Sequence, residues 1–112
     1  MKKPNCSYSE FQKLDLRIGE IKNALKLEGS EKLLVLNVDF GEDYGVVEIL
    51  SGIANLYAPE KLIGNKYLFV ANLEPRKMMG RYSNGMVFAT DTSPKYELIK
   101  VPKKLKNGTA LC

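Results

Sequence analysis

Between positions 72 and 86 the chain reads NLEPRKMMGRYSNGM, which sets Arg76, Lys77 and Arg81 among Met78, Met79 and Met86, with Ser83 and Asn84 alongside. Guanidinium and ammonium groups at this density hold phosphate oxygens and release the counterions those phosphates carry. A hydroxyl and an amide can donate to phosphate or sugar oxygens, and the unbranched thioether of methionine adapts to an irregular partner. A strand destined for the core would not carry three cations, and a merely solvated loop has little use for three methionines. Plainer roles compete residue by residue: Met86 as the first core residue of a strand, Ser83 as a turn or cap residue, Arg81 as a solvated loop cation.

Charge along the chain favours the first reading. Residues 1–71 hold 9 Lys/Arg against 10 Asp/Glu, a net of −1, whereas residues 72–112 hold 8 against 3, a net of +5. The stretch VDFGEDYGVVE carries Asp39, Glu42, Asp43 and Glu48 with no cation, so one edge is acidic, and the asymmetry orients a polyanion. The lysines of KVPKKLKNG extend the basic side or form a solvated tail.

Other chemistry is not written in the sequence. There is no histidine and no GxxxxGK[ST] loop, SGIAN lacks the frame of a nucleophile elbow, and no catalytic residue, metal or cofactor is expected. Cys6 and Cys112, one near each end, fit neither a zinc knuckle nor a redox pair and read as free thiols. No apolar run approaches the roughly 18 residues of a membrane helix, and MKKPNCSYSEFQ lacks the apolar stretch of a signal peptide. A cytoplasmic protein with no membrane partner is the expectation.

At 112 residues, 45% of them hydrophobic, the chain is expected to form a single domain over 1–112 with its own core. LDLRIGEIKNALKL alternates with Leu14, Leu16 and Ile18 on one face and resumes at Ile21, Leu25 and Leu27 on the other parity, which places a β-bulge near Gly19 and Glu20. LLVLNVDF puts Leu34, Leu36, Val38 and Phe40 on one face, and GEDYG turns the chain into VVEILSG. YAPEKLIGNK predicts a short helix that Pro59 opens and Gly64 ends. KYLFVANL, MVFAT and YELIKV read as further strands, the first buried on both faces. Three strands, a short helix and two or three more strands fit an all-β, five-stranded OB-fold barrel with the helix between strands 3 and 4 and extra segments at both termini.

LDLRIG, KLLVLNVDFG, SGIANLYAPEKLIGNKYLFVANLEPRKMMGRYSNGM and VPKKLKNGTAL together resemble the tRNA-binding domain family, over nearly the whole chain from Phe11 onward. The resemblance implies an OB-fold that binds tRNA by shape at the outer corner of the L, with little sequence preference and no catalysis. It also implies a homodimer joined through the chain ends, acting free-standing or in trans to a methionyl-tRNA synthetase. Carried over by position, the serine and methionine of S.GM fall on Ser83 and Met86, the cations of P.K.MG on Lys77 with its neighbour Arg76, and the lysine of the first loop on Lys32. Where the family has a histidine–proline pair before that lysine, this chain has LEGSEKL. Arg81, Asn84 and Met79 complete the expected RNA-binding set. Asn72 is expected to hold the loop by side-chain to backbone hydrogen bonds. A rival implication comes from the secretion-chaperone branch of similar barrels, whose homodimers hold unfolded peptides in an apolar pocket.

Overall fold

The computed structural model describes residues 1–112. Its strands are β1 (Leu16–Lys26), β2 (Leu34–Asp39), β3 (Val46–Ser51), β4 (Lys66–Val70), β5 (Arg76–Met78), β6 (Arg81–Ser83) and β7 (Met86–Val87), with short helices α1 (Tyr8–Gln12) and α2 (Pro59–Leu62). One antiparallel sheet runs β3-β2-β1-β4-β7, and β5 and β6 form a separate two-stranded ribbon. The sheet curls into a nearly closed barrel because β6 and β7 come back against β3. With α2 between the third and fourth strands, this is the OB-fold expected from the element order.

The core follows from the strand period. Leu34, Leu36, Val38 and Phe40 are all fully buried, as their alternation requires. Phe40 meets Phe69 edge to face at a centroid separation of 5.3 Å. Pro59 opens α2, and Gly64, at φ 87°, ends it in a conformation that other residues adopt at a cost. Tyr67, Phe69 and Val70 of β4 are buried.

The first strand differs from its expected pattern. Its register slips between Ile21 and Asn23, so the bulged residue is Lys22, not Gly19 or Glu20. Gly19 is a glycine for another reason: a Cβ there would lie 2.5 Å from Val38 Cγ1 and 2.8 Å from Phe40 Cε1, so its neighbours already fill the space. With the bulge two residues later, Ala24 turns inward, and Leu25 is left 58% exposed. The stretch YELIKV contributes only isolated bridges, Leu98 to Ala89 and Lys100 to Tyr67, rather than a continuous strand.

Both ends are tied to the barrel. Ser7 and Glu10 form a reciprocal capping box that opens α1. Asn72 Oδ1 accepts from the Asp15 amide at 2.8 Å while its Nδ2 donates to the Lys13 carbonyl at 2.7 Å, so this side chain clamps the N-terminal segment to the start of the ribbon loop. At the other end Thr109 and Leu111 bond to Ile18 and Leu16 along the free side of β1. Cys6 and Cys112 are exposed and unpaired with each other.

Candidate nucleic-acid interface

The ribbon is the part of the molecule where the expected residues gather. Its register pairs Arg76 with Ser83, Lys77 with Tyr82 and Met78 with Arg81. Side chains alternate along a strand, so Arg76, Met78, Arg81 and Ser83 share one face while Lys77 and Tyr82 share the other. The first face is turned to β3, where Arg81 and Ser83 have their partners. Arg76 and Lys77, adjacent in sequence, therefore serve opposite sides of a thin projection.

Ser83 does not present its hydroxyl to solvent. It is 3% exposed, and its Oγ accepts the Leu50 amide at 3.0 Å and lies 3.1 Å from the Gly85 carbonyl, to which it can donate. Beside it the Asn84 amide donates to the Glu48 carbonyl at 3.0 Å, and Asn84 Nδ2 reaches the same oxygen at 3.2 Å. Together these bonds close the barrel seam between β3 and β6 where no regular ladder runs. The Ser83 hydroxyl thus already donates once and accepts once within the protein, and its buried position sets it at the barrel seam. Replacing the hydroxyl (Ser83→Ala) leaves the Leu50 amide unpaired and is expected to cost about 1–3 kcal/mol of stability, read by chemical denaturation.

Arg81 is also engaged. Its guanidinium makes a two-pronged pair with Glu48, Nη2 to Oε1 at 2.6 Å and Nε to Oε2 at 2.9 Å. Hydrogen bonding from Arg81 holds the Glu48 carboxyl below its usual range, against the opposing effect of burial, and the same bond raises Arg81. Because the carboxyl is depressed in the folded protein, the pair's contribution is present above the unfolded carboxylate pKa and is lost as pH falls through the lower folded value. Arg76, Lys77 and Lys32 make no ion pair, so they are the expected cations free to meet phosphate.

Between the ribbon and β3 lies a cleft of about 400 Å³ lined by Leu50, Leu73, Glu74, Arg76, Met78 and Met86, with Ser83 and Gly85 also bordering it. Met86, 46% exposed, thus lines a surface cleft while its neighbour Val87 enters the core. Met79 occupies the ribbon turn at φ 52°, followed by Gly80 at φ 81°, and is 58% exposed. Two consecutive positive φ values match a tight hairpin turn, a place usually given to Asn-Gly. A long apolar side chain held there is strained, and such strain persists where a surface has another use. Met79→Asn is expected to raise stability by about 0.5–1 kcal/mol while weakening RNA binding, measured by denaturation and by titration on the same sample.

Lys32 is not part of this cleft. The loop between β1 and β2 reaches the ribbon through Gly29, whose Cβ position is 3.7 Å from Met79 Cε, but Lys32 lines a separate hollow with Asn55 and Tyr96. Sequence reasoning also passed over Tyr82, which is 54% exposed and lies directly across from Lys77. The signal that could have found it is an aromatic one residue from a cation in a polar stretch. The largest hollow, about 870 Å³, sits by the acidic turn, where the carboxylates of Asp39, Glu42 and Asp43 outnumber the ammonium groups of Lys66 and Lys106.

An OB-fold barrel with a cation-bearing ribbon beside a thioether-lined cleft is an arrangement suited to nucleic acid. Residues 16–110 match the family described as "Putative tRNA binding domain". The chain is 41% identical over 111 residues to the methionine–tRNA ligase of Oceanobacillus iheyensis, covering 98% of this chain and 16% of the ligase. The chain thus spans a small part of the curated relatives it matches. Among solved structures it superposes with a TM-score of 0.90 and 36% identity on a MetRS related protein from Pyrococcus horikoshii, covering 98% of this chain and 100% of that one. The chaperone CsaA of Bacillus anthracis superposes at 0.88 with 29% identity, over 97% and 100%. The chain belongs to the tRNA-binding domain family, as a non-catalytic module and not the catalytic core of an enzyme. No helix is long and apolar enough to cross a membrane.

Proposed function

We propose that residues 1–112 act as one cytoplasmic tRNA-binding unit that grips folded tRNA by shape, standing free or working in trans to a methionyl-tRNA synthetase. The single observation that carries the reading is the ribbon itself, which holds Arg76 and Lys77 unpaired on opposite faces beside the Met86 cleft. Cations on two faces are used together when the ribbon enters the RNA edge-on, with backbone on either side. Folded RNA offers such edges through its shallow minor groove and its exposed corners. Met79 and Met86 supply adaptable apolar surface there, Asn84 keeps its carbonyl oxygen free for a ribose hydroxyl, and Ser83 acts by holding the ribbon to β3.

Titration of unfractionated tRNA over a range of salt tests this. Engagement of Arg76, Lys77 and one further cation gives a log–log slope of about −3, similar for every tRNA species. A slope near zero, or binding confined to one species, contradicts it. Glu48→Gln releases Arg81 from its partner, and the variant is expected to bind about three- to tenfold tighter with a slope steeper by about one unit.

The unit works as a homodimer in this proposal. Both ends of the chain present large apolar side chains to solvent, Tyr8 at 71%, Phe11 at 38%, Leu14 at 43% and Leu111 at 41% exposed. Sedimentation mass decides it: twice the chain mass supports the dimer, and a monomer refutes it. A second reading is favoured by the likeness to the chaperone CsaA and by the apolar lining of the cleft. There the Met86 cleft would take an apolar side chain of an unfolded peptide, and tRNA would then displace a bound peptide from the same site.

A further inference from the structure

Away from the ribbon, Tyr96 and Leu56 each border two hollows of about 230 and 340 Å³. The smaller hollow is lined by Lys32, Asn55, Ser93 and Pro94; the larger has Lys95 and Glu97. None of these residues borders the Met86 cleft. Tyr96 is 37% exposed, and Lys32 and Lys95 make no ion pair. Asn55 is exposed, and its side-chain amide has no hydrogen-bond partner in the protein. An aromatic ring, an uncommitted amide and a free ammonium group around one small depression match the three parts of a nucleotide.

We propose that this depression is a second RNA site, which takes one unstacked ribonucleotide of a single-stranded segment. The base stacks on Tyr96, Asn55 meets its hydrogen-bonding edge, and Lys32 holds the adjoining phosphate. Stacking on an aromatic platform with a cation tracking the backbone is how single strands are bound without strong sequence preference. The smaller hollow is the one occupied, because the Glu97 carboxylate in the larger repels phosphate. At about 230 Å³ it falls below the roughly 300–1,000 Å³ of pockets for drug-sized ligands and suits one base. The placement also explains why Lys32 stands apart from Arg76 and Lys77: it serves a different part of the RNA.

A fluorescently labelled hexaribonucleotide of mixed sequence, titrated by anisotropy at low salt, tests the assignment. Y96A is expected to weaken hexamer binding at least about fivefold, as loss of one base–aromatic stack does. Y96F retains it, and R76A/K77A changes it less than Y96A. Thermal melts of Y96A confirm that the barrel is intact. Hexamer binding that is absent, unchanged in Y96A or abolished only by R76A/K77A overturns the proposal. Adenosine monophosphate binding as tightly as the hexamer overturns it too, in favour of a free nucleotide. Hexamer binding that depends on Tyr96 while intact tRNA fails to bind removes the tRNA reading and keeps this one, so the two are separable.

Discussion

The double variant Arg76→Ala/Lys77→Ala is expected to lose about 100-fold in tRNA affinity at low salt, with a salt slope flatter by about two units. Each single variant accounts for about one unit and about tenfold. The effects should add, because the two side chains lie on opposite faces of the ribbon and share no partner. Neither side chain makes an ion pair within the protein, so both changes leave the fold intact. Titration of the four proteins at matched salt concentrations measures all of this. A double variant no weaker than either single one would mean that the two cations meet one shared phosphate, and the RNA would then lie against one side of the ribbon only.

The largest effect on stability is expected at Gly108. Its φ is 85°, and a Cβ there would overlap the Phe40 carbonyl oxygen. Its amide donates to the Ile18 carbonyl at 2.7 Å, and its own carbonyl accepts from Arg17 Nη1 at 3.2 Å, so the residue pins the C-terminal segment across β1 where it covers Ile18. Gly108→Ala is expected to cost about 2–4 kcal/mol and to lower the melting temperature by roughly 10 °C or more. Gly45 provides the control. At φ 94° it has nearly the same backbone, but nothing lies within 4 Å of its Cβ position, so Gly45→Ala is expected to cost only about 1 kcal/mol. The difference between the two isolates the contact with Phe40 from the backbone preference.

How much of this was legible in the sequence depended on whether the cause was local. The alternation through Phe40, the turn at Gly41 and Gly45, and the helix framed by Pro59 and Gly64 are set by neighbours along the chain, and each is found where it was expected. The bulge was misplaced because a glycine is ambiguous: at Gly19 it marks side chains arriving from Val38 and Phe40, a fact of packing that no spacing reveals. The β5–β6 ribbon escaped notice because its strands are three residues each and its turn uses Met79 where Asn would announce a hairpin. The Ser7–Glu10 capping box was readable and went unread.

The site divides in the same way. Residue types alone singled out Arg76, Lys77 and Met86, and the structure places all three at the ribbon and its cleft. Their facing did not follow, since adjacent cations are on one surface in a loop and on two in a ribbon. Arg81 and Ser83 find their partners, Glu48 and Leu50, 33 residues earlier in the chain. Only the closure of the barrel brings those pairs together, so the place of Ser83 at the seam does not show in the sequence. Lys32 joined Tyr96 and Asn55 for the same reason.

Hydrogen exchange of the backbone amides with and without saturating tRNA tests the central placement most directly. Protection is predicted across residues 73–86, which carry the ribbon and the border of its cleft. The acidic turn at residues 41–45 should exchange as in the free protein. Protection confined to that turn, with the ribbon unchanged, would contradict the account.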